Sequence, residues 1–499
     1  MTISSTVARV AAGSTTYTVN PYRKTAVPTR YELHLMNRMG CGYSRTTWAQ
    51  LRSAGGAAAW FEAQLRPGSI TESALARDLE TWFPGRHHAV GTRWQNNVTD
   101  RYQAWEYARD LGCYTTLKRM YSRRSVLETM VDFWSNHFHI KGSADLAWVY
   151  RDSYDKMLRR QALGRFDALL EAVTLHPAML LFLDNWQSVR DRANENHGRE
   201  LLELHTVGRT SGYTEAMVKD SATILSGWTV DARNTWKSGY DPKRHTLGPV
   251  QVLGFIAANG RADGSAMTKD YLRYLAHHPA TARTIARKLA VRFVSDQPSA
   301  ALVDDLAQTF SRSGTDIRAT LRALVQHPEF RAAAGAKVRT PVDDLVHTTR
   351  VLGIRSRPPQ GADSFARTVA FQHGGDTLYS WPRPDGAPEH DAAWTSASRM
   401  LGSFYMHWNL AGGYYPKRGV VYRSSASWLP QRRIRFDQYV DHLCRLVLGR
   451  PSTPLLLQAA VQAVECRPAE VVHQDHRVAT WLHTRLMAVL LDSPEHMTR

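Results

Sequence analysis

Between Asn194 and Gly208 (NENHGRELLELHTVG) the chain sets three glutamates, an arginine, two histidines and two asparagines among three leucines. On a 3.6-residue helix Asn196, Arg199, Glu200 and Glu203 fall at i, i+3, i+4 and i+7, while Leu201, Leu202 and Leu204 point the other way. The stretch therefore reads as an amphipathic helix whose leucines need other elements to pack against. Its polar stripe has two readings. In one it is a solvated face on which Arg199 pairs with glutamates, each pair worth roughly 0.2–0.5 kcal/mol. In the other it faces a cleft, where its carboxylates hold a metal or move protons.

Helical periodicity recurs along the chain. In SVLETMVDFWSNHFHI, Met130, Phe133, Trp134, His137 and Phe138 share one face and Glu128, Asp132 and Asn136 the other. His137 is the odd polar member of an apolar face, which suits either a core histidine bonded to a carbonyl or a ligand. His139, near the helix end, is expected to be more accessible. Ser44, Asn194, Thr214 and Asp316 are suited to capping helix starts. Pro177 and Pro279 suit first helical positions, and His277-His278 before Pro279 reads as part of a helix start. Residues 268–335 are strongly helical.

Only the segment near 228–254, with its small polar, aromatic and basic residues and turn signals, reads as a short antiparallel β-ribbon. Residues 355–430 are rich in Pro, Gly and aromatics, as in LYSWPRPDGAPEH, and are expected to form a long ordered loop over part of the core. The predicted fold is mainly α, a large multi-helix globular arrangement.

At 499 residues the chain is long for one compact core. The expectation is a Thr/Ser/Val-rich flexible arm over 1–28 and a helical domain over 29–499, divisible into subdomains 29–260 and 261–499. An apolar content of 43% with 15 Trp and 20 Tyr supports a real core and excludes a mostly disordered chain. The net charge of +18 favours an anionic small molecule or an acidic partner. The basic residues are spread out, and no nucleic-acid motif is present.

Cys41, Cys113, Cys444 and Cys466 form neither a CxxC nor a Cys/His finger spacing, so reduced structural thiols are expected. The N-terminus has no apolar signal region and no twin arginine, and no run of roughly 18 apolar residues exists. A cytoplasmic protein without a membrane span is the expectation. HExxH, GxSxG, GxGxxG and the phosphate-loop motif are absent. Glu470-Val-Val-His473 with His476 resembles a metal half-site, but a carboxylate-bridged di-iron bundle needs two such motifs.

Several blocks together resemble a known family. WSNHF (134–138), LDN (183–185), the 194–208 stretch, YTEAMVKDSATILSGW (213–228), DPKRH (241–245), HPATARTIARKLAVRFVSD, HPEF and the WPRPDG region are similar to signature blocks of the bacterial DUF1800 family. That family has no assigned function, and its members are often exported. The resemblance implies Asn136, His137, Asp184, Glu195, Asn196, Arg199, Glu200, Glu203 and His245 as family-type polar residues. His197 stands where the family usually has Tyr or Leu, and Thr246 where it usually has Asp.

The resulting candidate site lies between the His137 helix and the 194–208 helix. His137, Glu200, Arg199 and Glu195 are its catalytic candidates, with Asn136, Asn196 and Asp184 as binding residues. His137, His197, Glu200, Glu203 and His245 could hold a divalent metal if their side chains converge within about 5 Å of one point. A metal-free enzyme would use Glu200 or His137 as general base. The alternatives are a non-catalytic scaffold built on a buried Arg–Glu–Asn network, or haem ligation by His137 or His197.

Overall fold

Helix starts in this chain are set by short polar side chains and, repeatedly, by His-Pro pairs. Ser44, Thr214 and Asp316 accept the backbone N–H groups of Thr47, Met217 and Ala319, as their positions predict. His176, His278 and His327 do the same with an imidazole. The Nδ1 atom of each accepts from the N–H two residues on, at 3.2 Å, while the following proline occupies the first helical position.

The computed structural model describes residues 17–372 and 379–499, with 24 α-helices among them. One connected apolar core runs from Tyr22 to Leu491, and Trp60 and Trp134 lie fully inside it. Among the described residues no helix is long and apolar enough to cross a membrane.

The 194–208 stretch is helical but not uniformly so. Asn194 caps the Glu195–Glu200 helix by accepting from Asn196 N–H at 3.0 Å. Leu201–His205 then widens into a π-turn, fastened by the Thr206 hydroxyl donating to Leu201 O at 2.6 Å. A π-turn takes in an extra residue, so the side-chain register shifts after Glu200. Leu201 and Leu202 are buried as expected, but His205 goes into the core at 1% exposure and Leu204 is left half-buried. On its inner side Gly198 touches the Glu215–Leu225 helix. A Cβ there would lie 2.7 Å from Ala222 N and 3.0 Å from Val218 O, so the two backbones meet closely only because residue 198 has no side chain.

The single ribbon expected near 228–254 is two hairpins. Trp228–Val230 pairs with Ser238–Tyr240, and Val250–Val252 with Phe255–Ala257. Two further ladders join distant segments, Arg355–Ser356 with Val420–Val421 and Arg433–Arg435 with Val471–His473. Strands of two or three residues carry no readable alternation, which is why the sequence did not announce them.

Residues 355–430 are not loop throughout. Ser396 caps a 16-residue helix, Ala397–Gly412, and the part at 373–378 lies outside the described residues. Residues 17–28 are likewise not a loose arm. Tyr22 N–H donates to Asp441 Oδ2 at 2.7 Å and Thr25 bonds His442 at 2.6 Å, which ties the segment to the Phe436–Val447 helix. Residues 1–16 of the expected arm are outside the described residues.

Replacing Gly198 by alanine should lower stability by about 1–3 kcal/mol, because the methyl group is forced against the backbone of residues 218–222. Urea unfolding of the full chain checks this; an unchanged midpoint would mean that the two helices do not meet as closely as described.

Candidate functional site

The site is held by charges that have left water. Arg119 and Arg292, 2% and 3% exposed, both reach Asp132, at 3.3 and 2.7 Å. Arg119 also pairs with Asp343, and Arg499 reaches the other oxygen of Asp343 at 2.8 Å. Arg292 extends the frame to Glu389 at 2.9 Å. The opposing carboxylates hold the Arg292 guanidinium above its usual range despite its burial, and the surrounding arginines hold the Asp343 carboxyl far below its own.

Over this frame runs the loop from Trp381 to Asp391. Asn136 clamps it with two bonds, its Nδ2 donating to Ala387 O at 2.9 Å and its Oδ1 accepting from Ala387 N at 2.8 Å. The same Nδ2 donates to Glu389 Oε1 at 3.2 Å. Gly386 is needed at the crossing. Its φ is +77°, and a Cβ would sit 2.3 Å from the Asn136 carbonyl oxygen. Lys337 closes the far end, donating to Glu389 O at 2.7 Å and pairing with Asp391 at 3.1 Å.

Beneath the loop is a cavity of about 440 Å³, lined among others by Asn136, His137, Lys288, Arg383, Asp385 and Glu389. His137, the last residue of the Ser125–His137 helix, is buried with both ring nitrogens engaged. Lys288 Nζ lies 2.9 Å from its Nδ1, and its Nε2 lies 3.2 Å from His205 O. An ammonium or amine donating to Nδ1 leaves the proton on Nε2, which then donates to the carbonyl. His137 is therefore the neutral Nε2–H tautomer, in keeping with a pKa pushed well down by burial and by Lys288.

Lys288 also donates to Leu204 O at 3.2 Å. The π-turn explains both carbonyls. Leu204 and His205 end the signature helix, where carbonyl oxygens lack intrahelical partners and carry the negative end of the helix dipole. Burial lowers the Lys288 amine to about 8, against the pull of Glu389 and Asp385.

The remaining sequence candidates are placed apart from this pair. Arg199 lies toward solvent, in a bidentate pair with Glu215 at 2.8 and 2.6 Å, and reaches Glu195 at 3.5 Å. The buried Arg–Glu–Asn network expected on this helix is thus a surface cluster; the buried network is the one built on Arg119 and Arg292. Glu203 pairs with Arg209 and lies 3.5 Å from the Tyr213 hydroxyl. Glu200 is half-buried, its pKa raised by burial and by Glu203.

Asn196 is half-buried at the start of the same helix, and Asp184 sits in a left-handed turn at φ 58°, accepting from Gln187 at 2.7 Å. His197 points into the core at 0% exposure with neither ring nitrogen bonded, and burial lowers it to about 3. His245 is bound to Ser226 O at 3.0 Å and Asn259 Oδ1 at 2.7 Å.

Among the described residues, no three of His137, His197, Glu200, Glu203 and His245 bring ligand atoms within 4.8 Å of one another. His197 is fully buried while Glu200 and Glu203 are half-buried, and His245 is consumed by its own turn. Ligation of haem by His137 would break at least one of its two bonds. His139 is buried, not accessible, and lies 2.9 Å from Trp381 O. Of the half-site near 470, His476 and Glu470 do meet, at 3.0 Å and beside Cys466.

Sequence reading missed Lys288, Glu389 and Asp385. The one signal for Lys288 is that it and Arg292 repeat at i, i+4 beside the buried Ile285, Leu289 and Phe293, a cationic stripe where an apolar one would be expected.

A mainly α chain with a half-buried amine against a buried imidazole, under a clamped loop, is the class that these observations define. The profile of a family described as "Protein of unknown function (DUF1800)" matches residues 34–498, and the chain belongs to that family. No curated protein and no solved structure matches it.

The amine gives a pH signature. The Lys288 pKa in the folded chain, about 8, lies below the ordinary 10.5, so between these values the unfolded chain binds the extra proton and stability rises with pH. Relative to Lys288→Met, the wild type should start at a disadvantage at pH 7 and recover it by about pH 10.5, read as urea midpoints. A difference that is constant across this range would contradict the assignment.

Proposed function

We propose that the chain is an enzyme acting at the cleft under the Trp381–Asp391 loop, with Lys288 as its acid–base group and neutral His137 as the partner that orients it. The observation that carries this reading is the Lys288–His137 contact of 2.9 Å at the wall of a cavity of about 440 Å³. A group titrating near the operating pH is the most effective proton carrier, and an amine lowered to about 8 is partly free at neutral pH. Two of its positions are held by His137 and Leu204 O, which leaves one for a substrate.

The cavity suits a small molecule in size. Arg287 and Arg383 line it beside Asp385 and Glu389, so a substrate carrying an anionic group together with a hydroxyl or amine fits the mixture of charges. This keeps the metal-free form of the enzyme reading and the family-type residues Asn136 and His137. Asn136 acts by holding the loop. Arg199 and Glu195 are paired on the outer side of the signature helix, which supplies the carbonyl oxygens of Leu204 and His205. Glu200 is kept as the half-buried carboxylate of that helix, without a place in the pair.

Amine reactivity tests the proposal without a known substrate. Treating the full chain with a small acylating reagent across pH 6–11 and mapping the products by mass spectrometry should show Lys288 modified with a midpoint near 8, below the solvent-exposed lysines. A Lys288 that reacts only with the surface set, or not at all, would leave a structural cation and favour the non-catalytic scaffold.

A further inference from the structure

A second constellation lies away from the cleft, where three segments meet near the C-terminus. Asp344 and Thr348 are one turn apart on the Pro341–Leu352 helix, and Ser403 and His407 are one turn apart on the Ala397–Gly412 helix. His496 belongs to the Pro494–Met497 turn. Asp344, His407 and His496 are each 0% exposed. His407 Nε2 lies 3.1 Å and His496 Nε2 3.6 Å from the same oxygen, Asp344 Oδ1, and the three ligand atoms all lie within 4.8 Å of one another.

We infer that Asp344, His407 and His496 form a buried site for a divalent transition metal, with the Thr348 hydroxyl beside it. Donors bound at 2.0–2.1 Å around a tetrahedral ion stand about 3.3 Å apart, which is the spacing found on two edges of this triangle. Two of the three ligands have outer partners, while His496 Nδ1 is buried without one. Asp344 Oδ2 accepts from Ser403 at 2.6 Å and from Arg399 at 3.4 Å, which leaves Oδ1 free to face the centre. His407 Nδ1 donates to Asp492 Oδ1 at 2.7 Å, the carboxylate–imidazole pairing that fixes a ligand's tautomer and raises its basicity. Thr348 Oγ1 lies 2.8 Å from His496 Nε2.

A purely ionic account, with an imidazolium at His407 bridging two carboxylates, explains two of the three groups. The third, His496, turns Nε2 to the Thr348 hydroxyl at 2.8 Å, which also brings it 3.6 Å from Asp344 Oδ1, a separation too long for a hydrogen bond. What points to a cation is the cluster itself, one oxygen and two ring nitrogens within 4.8 Å of one another and closed off from solvent. Two imidazoles and one carboxylate are a donor set that suits zinc, with a fourth position left for an oxygen ligand. The Cys466–Glu470–His476 group is the weaker candidate. His476 Nδ1 accepts the Val478 N–H at 3.2 Å, so the proton sits on Nε2, the atom facing Glu470, and no lone pair remains there for an ion.

The test is the metal content of the full chain purified without chelator, followed by replacement with cobalt(II) and visible spectroscopy. About one divalent ion per chain and a visible cobalt band of low-symmetry coordination are expected. Both should be lost in His407→Gln and in His496→Gln and retained in Cys466→Ser. Should the histidine variants fail to fold, Asp492→Asn, which leaves all three ligands in place, should weaken binding roughly 10–100-fold. A chain that is metal-free as purified and gives no cobalt band overturns the inference. So does a metal that survives both histidine substitutions, one released by Cys466→Ser, or an affinity unchanged in Asp492→Asn.

Discussion

Two arginines that have given up water, Arg119 and Arg292, are what the rest of the structure depends on. A guanidinium moved out of water carries a penalty of several kcal/mol, which is offset only when opposing charges and carbonyls surround it. Asp132, Asp343 and Glu389 supply that surround. They come from parts of the chain that are far apart in sequence, so the requirement to neutralise buried charge brings the helix ending in His137, the Pro279–Phe293 helix, the C-terminus and the Trp381–Asp391 loop to one place. Removal of one partner from such a set costs about 3–5 kcal/mol, because an uncompensated charge stays behind. The cleft is therefore shaped by a frame that has little freedom to change.

Within this frame the signature helix plays a part different from the one its composition suggests. Its charged stripe looks like a catalytic face, yet Arg199, Glu195 and Glu203 are spent on surface pairs. What it delivers inward is backbone. The π-turn at Leu201–His205 aims the carbonyls of Leu204 and His205 at Lys288 and His137. Helix ends offer oxygen atoms in fixed positions at low entropic cost, since no side chain has to be ordered to present them. The charged side chains keep the helix soluble on one side while Gly198 lets it press against its neighbour on the other.

The histidines of the chain sort by what their ring nitrogens meet. His176, His278 and His327 cap helices, His245 fastens a turn, and His197 fills space with no bond at all. His137 meets an amine, and His407 and His496 meet a carboxylate that they share. One residue type covers packing, capping and chemistry, and its identity in the sequence does not separate these roles. Position 197 illustrates the point. A histidine beside Glu200 looks like a ligand pair on paper, but its ring lies fully in the core with neither nitrogen bonded, while Glu200 is half-buried.

Periodicity and capping by themselves determined the mainly α class, the helix starts at Ser44, Asn194, Thr214 and Asp316, and the apolar face that carries His137. These are local properties, decided by residues within a turn or two of one another. The ordered blocks from WSNHF to WPRPDG likewise carried the family membership. Only the tertiary structure decided that Lys288 is the partner of His137, across 151 positions, and that Asn136 holds a loop 251 positions away. It also decided that the π-turn shifts the register of the signature helix, that two ladders of two or three residues join remote segments, and that Asp344, His407 and His496 face one another. The reason is the same in each case. A contact between distant segments depends on how whole elements pack and on where buried charge can be neutralised, and neither leaves a periodic mark in the chain.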